Sequence, residues 1–319
     1  MNTHETIQFQ KVTARSLPEH EGIASGHRAC QGCGEMLALR LAMKAAGEDV
    51  IVANATGCME VVTTPYPETA WRVPWIHVAF ENASAVGSGI AAARKALSRK
   101  GRIDRGSSRV LIVGGDGGTF DIGLQALSGA LERGHDFTYL CLDNEAYMNT
   151  GIQRSSATPF GAWSTTTPVG ARSGGKMLKK KDLTAIIAAH RIPYAATASP
   201  SHHVDLMNKV RRAMATPGPS FLHILCPCPA GWRMPVQYSV RAARLAVETN
   251  LHPLYEIIDG RYLLSRRVAN PKPVREYLEL QGRFRHLSDE DIAAVQAEVD
   301  QRFDDLQWLA SRPQPVQEP

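Results

Sequence analysis

The 319-residue chain carries 36 Lys and Arg against 31 Asp and Glu, a formal net charge of +5, and 44% of its residues are hydrophobic. That length supports a substantial core, either one large α/β domain or a domain with an appended segment. The basic residues are scattered and form no basic helix or aromatic-interleaved patch, so nucleic acid is not an expected partner; with no apolar run of about 18 residues and a polar N-terminus, neither a membrane span nor a secretory signal is expected, and the cytoplasm is the default compartment.

Residues 1–26 are polar and aperiodic, an N-terminal arm expected to rest on a neighbour. In HRACQGCGEMLALRLAMKAA, Cys30 and Cys33 precede a helical pattern of Leu37, Leu41 and Ala45. A Cys-x-x-Cys ahead of a helix suits a redox dithiol, half of a zinc knuckle or two ligands of an iron–sulfur cluster. Gly32 and Gly34 free the backbone to wrap both sulfurs. No second C-x2-C follows, so further thiolates must come from elsewhere in the fold. The apolar run 50–56 predicts a strand ending at Gly57 and Cys58, which puts a third thiol at a strand terminus. The proline-interrupted stretch 63–75 reads as a surface or interface loop with Trp71 and Trp75 as anchors. A strand and an alanine- and glycine-rich helix follow, with His77 either functional or buried and satisfied by backbone, and with Glu81 and Asn82 as further candidates.

The stretch RVLIVGGDGGTFDIGLQALSGALERGHDFTYLCLDNEAYMN, residues 109–149, organises the rest. It predicts a strand over 110–113, a glycine-rich turn around Asp116, a helix over 122–131 and a second strand over 137–142 that stops at Asp143 and Asn144. In an open parallel sheet the ligand lies beyond the carboxyl ends of the strands. The glycines beside Asp116 let backbone amides approach a phosphate. A carboxylate inside such a turn would repel a bare phosphate, and Mg²⁺ resolves the conflict by taking oxygens from Asp116, the Asn144 amide and a diphosphate. The bland alternative is a glycine turn that packs strand against helix.

Beyond it, 149–176 is a long polar loop expected to fold over something, with Arg154, Ser155 and 165–167 on the substrate side or at a neighbouring subunit. The cluster GKMLKKKD, 175–182, reads as a solvated loop or subunit edge. Helices over 182–191 and 204–216, a short strand over 193–200 and a strand over 219–225 complete the apolar pattern. Segment 230–286 offers a helix and a hairpin-like pair around Asp259 and Gly260, and a last helix begins at Ser288 with acidic residues in its first turn.

Of the six cysteines, Cys30, Cys33 and Cys58 with either Cys226 or Cys228 make four thiolates from distant segments, the number a [4Fe–4S] cluster needs; zinc and structural thiols stay open, and Cys141 reads as a core thiol.

The chain resembles the beta subunit of the 2-oxoacid:ferredoxin oxidoreductases, the pyruvate synthase family, from about residue 30 to 287. The likeness rests on CQGCGE at 30–35, ATGCMEVV at 55–62, PWIHVAFENASA at 74–85, GGDGGTFDIGLQALSGALERGHD at 114–136, DNEAYMNTGIQRSSATPFGAW at 143–163, CPCPAGW at 226–232 and ARLAVETNLHPLYEI at 243–257. The resemblance implies a thiamin diphosphate-binding α/β fold with a mostly parallel sheet flanked by helices over 27–232. It is preceded by the arm 1–26 and followed by a C-terminal extension with an interface helix over 233–319. It implies a [4Fe–4S] cluster on Cys30, Cys33, Cys58 and Cys228, with Cys226 an additional cysteine. It also implies Mg²⁺ on Asp116, Asn144 and the Ala146 carbonyl, and cofactor contacts from Gly57, Cys58, Gly115, Gly117, Gly118 and Thr119. Asn149 would lie beside the thiazolium and orient intermediates.

The implied activity is oxidative decarboxylation of a 2-oxo acid to acyl-CoA and CO₂, with coenzyme A as co-substrate. Pyruvate is the default substrate. CPAGW in place of the more usual CPTGW leaves an aromatic 2-oxo acid such as phenylglyoxylate as an option. The implied partners are an alpha subunit that completes the thiamin site, gamma and ferredoxin-like delta subunits, and ferredoxin or a flavin/NAD subunit as acceptor. The competing readings are a non-redox thiamin diphosphate decarboxylase or synthase subunit with structural cysteines, and a non-catalytic scaffold.

Overall fold

The apolar runs bounded by glycine and polar residues become strands, and in the computed structural model, which describes residues 8–104 and 108–312, they join into one sheet. Strands β1 (Val50–Ala55), β2 (Trp75–Val78), β3 (Arg109–Gly115), β4 (Thr138–Asp143), β7 (Tyr194–Ala198), β8 (Ser220–Leu225), β9 (Tyr255–Ile258) and β10 (Arg261–Leu264) form an eight-stranded sheet of order β10-β9-β7-β8-β4-β3-β1-β2. The other two, β5 (Val169–Gly170) and β6 (Ser173–Gly174), make a small hairpin. Strands β7, β8, β4, β3, β1 and β2 pair in parallel, whereas β9 joins β7 antiparallel and turns back as β10. The pair expected around Asp259 and Gly260 is this β9–β10 hairpin, so residues beyond 232 extend the sheet.

The helices are α1 (Gly34–Ala46), α2 (Cys58–Thr63), α3 (Ala83–Arg99), α4 (Leu124–Glu132), α5 (Leu183–Ala188), α6 (His203–Ala215), α7 (Pro229–Trp232), α8 (Ser239–Glu248), α9 (Val274–Glu279) and α10 (Asp289–Ser311). No helix among the described residues is long and apolar enough to cross a membrane. Strand alternation divides the core between two faces. Leu111, Leu140 and Leu222 meet Leu39, Met43, Leu206 and Val210 of α1 and α6. Ile112, Tyr139 and Phe221 meet Leu127, Leu131 and Ile187 of α4 and α5. Every residue of β4 and β8 is buried, as expected for central parallel strands covered on both sides. Ser288 caps α10 in a reciprocal capping box with Asp291, the signal that its sequence carries.

Three expectations change. The turn after β3 is itself helical: a π-helical segment, Gly117–Ile122, runs into α4, so the coil expected before residue 122 is a wide helical turn. Residues 8–26 pack on the chain's own body, where Val12 and Ile23 are buried, the Val12 amide donates to Asn208 Oδ1 and Ile23 bridges Trp71; residues 1–7 lie outside the described residues. Trp71 is buried too, and donates to Thr63 Oγ1 at 2.9 Å while stacking on Trp75, so it anchors the loop inward.

Because β1, β3, β4 and β8 run parallel, their carboxyl ends share one edge of the sheet. Gly57 and Cys58, Asp116, Asn144, and Cys226 to Cys228 each follow one of these ends. Residues far apart in sequence thereby meet on one rim.

Candidate active site

Asp116 leaves β3 at the first turn of the π-helical segment and is buried at 1% exposure. Ser155 Oγ donates to its Oδ2 at 2.5 Å, while Oδ1, also buried, has no partner among the described residues. Burial, and then the neighbouring Asp143, push the Asp116 carboxyl well above its ordinary range. An orphaned buried carboxylate oxygen costs free energy that a divalent cation would offset. The donor set fits such a cation, since the Asn144 amide and the Ala146 carbonyl belong to the next strand end and are hard oxygens.

Glycines shape the space. A Cβ on Gly117 would strike the Tyr147 ring at 2.4 Å and one on Gly118 the Phe80 carbonyl at 2.7 Å, so neither position admits a side chain. Beside Gly57 nothing lies within 4 Å, and beside Gly115 only the Leu142 carbonyl at 4.0 Å. This leaves a cradle open on one side, suited to a diphosphate. The Thr119 hydroxyl is committed inward, donating to the Gly115 carbonyl at 2.7 Å and bonding Tyr139 at 2.8 Å, so it stiffens the turn. Asn149 is exposed.

The turn after β4 is fixed from behind. The Ala146 amide donates to Asn144 Oδ1 at 3.3 Å, and the indole of Trp232 donates to the Asn144 carbonyl at 2.9 Å. Between them Glu145 adopts φ 69°, a left-handed conformation that costs a non-glycine residue about 1–2 kcal/mol. Lys180 Nζ bonds Asp143 at 2.6 Å and Glu145 at 2.8 Å, His223 bonds Asp143 at 2.7 Å, and Arg283 reaches Glu145 at 2.5 Å. Burial alone would raise the Asp143 carboxyl, but Lys180 and His223 outweigh it and hold the group below its ordinary range. The lysine cluster is solvated only in part: Met177, Leu178, Lys179 and Asp182 are exposed, whereas Lys176, Lys180 and Lys181 turn inward. Lys176 is 2% exposed and donates to the carbonyls of Ser156, Thr158 and Lys179, Lys180 lies in the ion network, and Lys181 donates to the Phe120 carbonyl.

The thiols meet at the neighbouring part of the rim. Cys33 caps α1, accepting from the Met36 amide at 3.4 Å, and Cys228 caps α7, accepting from the Gly231 amide at 3.4 Å. Cys58 opens α2 directly after Gly57. Cys58 and Cys33 each interact electrostatically with Cys228, which in turn senses Cys30, so the four belong to one neighbourhood. Burial, with Glu35 next, raises the Cys33 thiol to about 12 and lifts that of Cys58 further; burial raises Cys228 to about 11. Such thiols stay protonated until a cation arrives to favour the thiolate. Cys226, which also interacts electrostatically with Cys33, is fully buried and donates to the Ile224 carbonyl at 3.2 Å, and Cys141 is a buried core thiol. Among the described residues no three His, Cys, Asp or Glu side chains stand around a single ion; the ligands of a cubane bind four separate irons and need not do so.

Sequence reasoning passed over several residues that the fold brings here. Glu35 is buried within hydrogen-bonding reach of the Asn144 amide and the Cys58 thiol, and burial raises its carboxyl to about 7. Its place in CQGCGE, one helical turn inside a chain reversal, was the available signal. Lys180, Glu145, His223 and Arg283 gave none locally. His77, weighed as buried or functional, is exposed and bonds Thr56 Oγ1 at 2.6 Å. Glu81 is half-buried, and Asn82, which is exposed, precedes α3.

Comparison with known proteins agrees with this geometry. The thiamine pyrophosphate enzyme family, C-terminal TPP binding domain, matches residues 55–224. Pyruvate synthase subunit PorB of Methanocaldococcus jannaschii is 56% identical over 287 residues, covering 90% of this chain and 96% of that protein. The corresponding subunit of Methanothermobacter thermautotrophicus is 54% identical over 284 residues, 89% and 96% of the two chains. Ketoisovalerate oxidoreductase subunit VorB of Pyrococcus abyssi is 48% identical over 299 residues, 92% and 95%. The 2-oxoglutarate:ferredoxin oxidoreductase of Magnetococcus marinus shares the fold at a TM-score of 0.56 with 19% identity, over 72% of this chain and 81% of that one. The chain thus has a thiamin diphosphate-binding fold, and it belongs to the beta-subunit family of the 2-oxoacid:ferredoxin oxidoreductases that includes the pyruvate synthase subunits.

Proposed function

We propose that this beta subunit serves a CoA-acylating oxidoreductase whose 2-oxo acid is pyruvate. Family membership supports the coarser role, one subunit of an enzyme that oxidatively decarboxylates a 2-oxo acid to its acyl-CoA. Pyruvate is favoured because the similar pyruvate synthase subunits reach 56% identity and the ketoisovalerate subunit 48%. The observation that carries the site reading is the partnerless buried Oδ1 of Asp116 on the same rim as the four thiols.

In this reading Asp116, Asn144 and the Ala146 carbonyl hold Mg²⁺ on the diphosphate, and the open faces of Gly57 and Gly115 admit it. Gly117 and Gly118 bring the backbone close, and Thr119 fixes the turn. Cys30, Cys33, Cys58 and Cys228 hold a [4Fe–4S] cluster. When bound, thiamin diphosphate supplies the electron sink for cleavage beside a 2-oxo carbonyl, and the cluster carries electrons singly. This chain keeps the diphosphate end in place, the exposed Asn149 orients the reacting end, and Cys58, directly after Gly57, joins the two cofactor regions. The residue that activates the aminopyrimidine comes from an alpha subunit, and electrons leave through a ferredoxin-like delta subunit beside a gamma subunit to ferredoxin or a flavin/NAD subunit.

Assay of the assembled complex against pyruvate, 2-oxoisovalerate, 2-oxoglutarate and phenylglyoxylate, with CoA and either acceptor, tests the substrate. Pyruvate should give the highest kcat/KM; a preference of more than about tenfold for another acid replaces pyruvate with that acid.

A further inference from the structure

The ion network behind the cation turn contains one member that the proposed chemistry does not use. Arg283 comes from the segment after α9 and is 2% exposed, although its guanidinium is charged. It is engaged on several sides. Its NH2 group donates to Glu145 Oε2 at 2.5 Å, Nε donates to Gln281 Oε1 at 2.9 Å, and its backbone carbonyl accepts from the Trp163 amide at 3.0 Å. The guanidinium also stacks 4.2 Å from the Trp232 ring and 4.8 Å from that of Phe284. Trp232 is the residue whose indole holds the Asn144 carbonyl. Arg283 therefore touches both supports of the 144–146 turn, the Glu145 carboxylate and the ring that fixes Asn144.

Lys180 stands 2.8 Å from Glu145 and 2.6 Å from Asp143 and supplies one positive charge against two carboxylates; Arg283 supplies the second. Arg283 also adds direction, because a planar fork stacked on one ring and hydrogen-bonded to one carboxylate fixes both relative to each other. Glu145 needs such fixing. It sits at φ 69° between the two residues that offer oxygens to the cation, and its carbonyl is held on the far side by Thr158 Oγ1 at 2.7 Å.

The geometry points to Arg283 as a positioning residue for the divalent-cation site: through Glu145 and Trp232 it holds the 144–146 turn in the conformation that presents the Asn144 amide and the Ala146 carbonyl. The C-terminal segment thereby takes part in building the diphosphate site. This rests on the reading of Asp116, Asn144 and Ala146 as cation ligands.

The test uses the assembled complex, stripped of thiamin diphosphate and Mg²⁺. Mg²⁺ is then titrated at fixed thiamin diphosphate, cofactor binding is followed by calorimetry, and iron content is recorded for every variant. R283M should need about tenfold or more Mg²⁺ for half-saturation, the size typical of lost outer-shell support, with iron content unchanged. R283K, which keeps the charge and one hydrogen bond, should recover part of that loss. Wild-type Mg²⁺ dependence in R283M overturns the proposal, as does an R283K no better than R283M. Should R283M fail to assemble, E145Q tests the same link through a variant of nearly equal size: a several-fold higher Mg²⁺ requirement for half-saturation supports the proposal and an unchanged one overturns it. D116A separates the two levels. If D116A also leaves Mg²⁺ dependence unchanged, the ligand reading itself fails; if D116A abolishes it while R283M does not move it, only the positioning role fails.

Discussion

The two cofactor regions on the rim are built in opposite ways. Around Asp116 and Asn144 the scaffold is closed: two adjacent parallel strands, a helical turn, and behind them Asp143, Glu145, Lys180, His223 and Arg283 with their hydrogen bonds satisfied. Asp116 Oδ1 has no partner among the described residues. Around the thiols four segments meet, two cysteines serve as helix caps, and Cys30 is exposed. A diphosphate site must hold its oxygens before the ligand arrives. A cluster can help to gather its own ligands, because thiolates form only as the metal binds. On the proposed reading the first region is preorganised at the cost of one partnerless carboxyl oxygen, whereas the second would be completed by its metal.

The largest effect should come from breaking the preorganised side. Asp116→Asn in the assembled complex should weaken Mg²⁺-dependent thiamin diphosphate binding by more than about a hundredfold, beyond the loss typical of an outer-shell change. The same substitution should raise the stability of the metal-free protein by up to roughly 1–3 kcal/mol at high pH, where ionising the buried Asp116 carboxyl costs free energy that the amide does not, and by less as pH falls. Calorimetric unfolding with and without Mg²⁺ reads both. A destabilised metal-free Asp116→Asn would mean that the carboxylate is structural.

Next come the thiols. Cys58→Ser or Cys228→Ser should lose most of the bound iron and sulfide after anaerobic purification, while Cys226→Ser should keep them, because Cys226 faces the core. Equal iron loss in Cys226→Ser would reassign the fourth ligand.

The two regions also differ in how far they could be read from sequence. The diphosphate turn lies within one βαβ unit, so strand ends, glycines and carboxylate appear together in residues 109–149, and parallel pairing of β3 with β4 places them side by side. The thiols were readable only as a count, and the resemblance singled out Cys228 over Cys226. The orientation of each sulfur after β8 depends on the α7 cap, which no periodicity shows. The ion network was invisible. Arg283 and Glu145 lie 138 residues apart, and a lysine-rich run such as 179–181 is ordinarily solvated. Lys180 is held inward by the carboxylates of Asp143 and Glu145 and Lys176 by the carbonyls of Ser156 and Thr158, partners from distant segments that only the tertiary fold supplies.

The smallest effect sharpens the contrast at the fastening of the thiol-bearing helix. Glu21 pairs with Arg40 at 2.6 Å and Lys44 at 2.7 Å, tying residues 8–26 to α1. Its hydrogen bond from Arg40, against the opposing effect of burial and with help from Lys44, lowers its carboxyl from 4.5 to about 2. A folded-state value below the unfolded one means the contribution is present above about pH 4.5 and is lost as pH falls toward 2. Partial exposure limits it to under about 1 kcal/mol. Glu21→Gln should lower the unfolding temperature slightly at neutral pH and leave it unchanged near pH 2, as followed by circular dichroism. An equal loss at both pH values would assign the effect to packing.

The central claim is that one rim carries both a thiamin diphosphate site and an iron–sulfur site. Iron and acid-labile sulfide analysis of the anaerobically purified protein, with electron paramagnetic resonance after dithionite reduction, tests it most directly. About four iron and four sulfide per chain are expected, with a reduced-cluster signal that disappears in Cys58→Ser. Protein free of iron and sulfide, or holding one zinc per chain on the same cysteines, would contradict it.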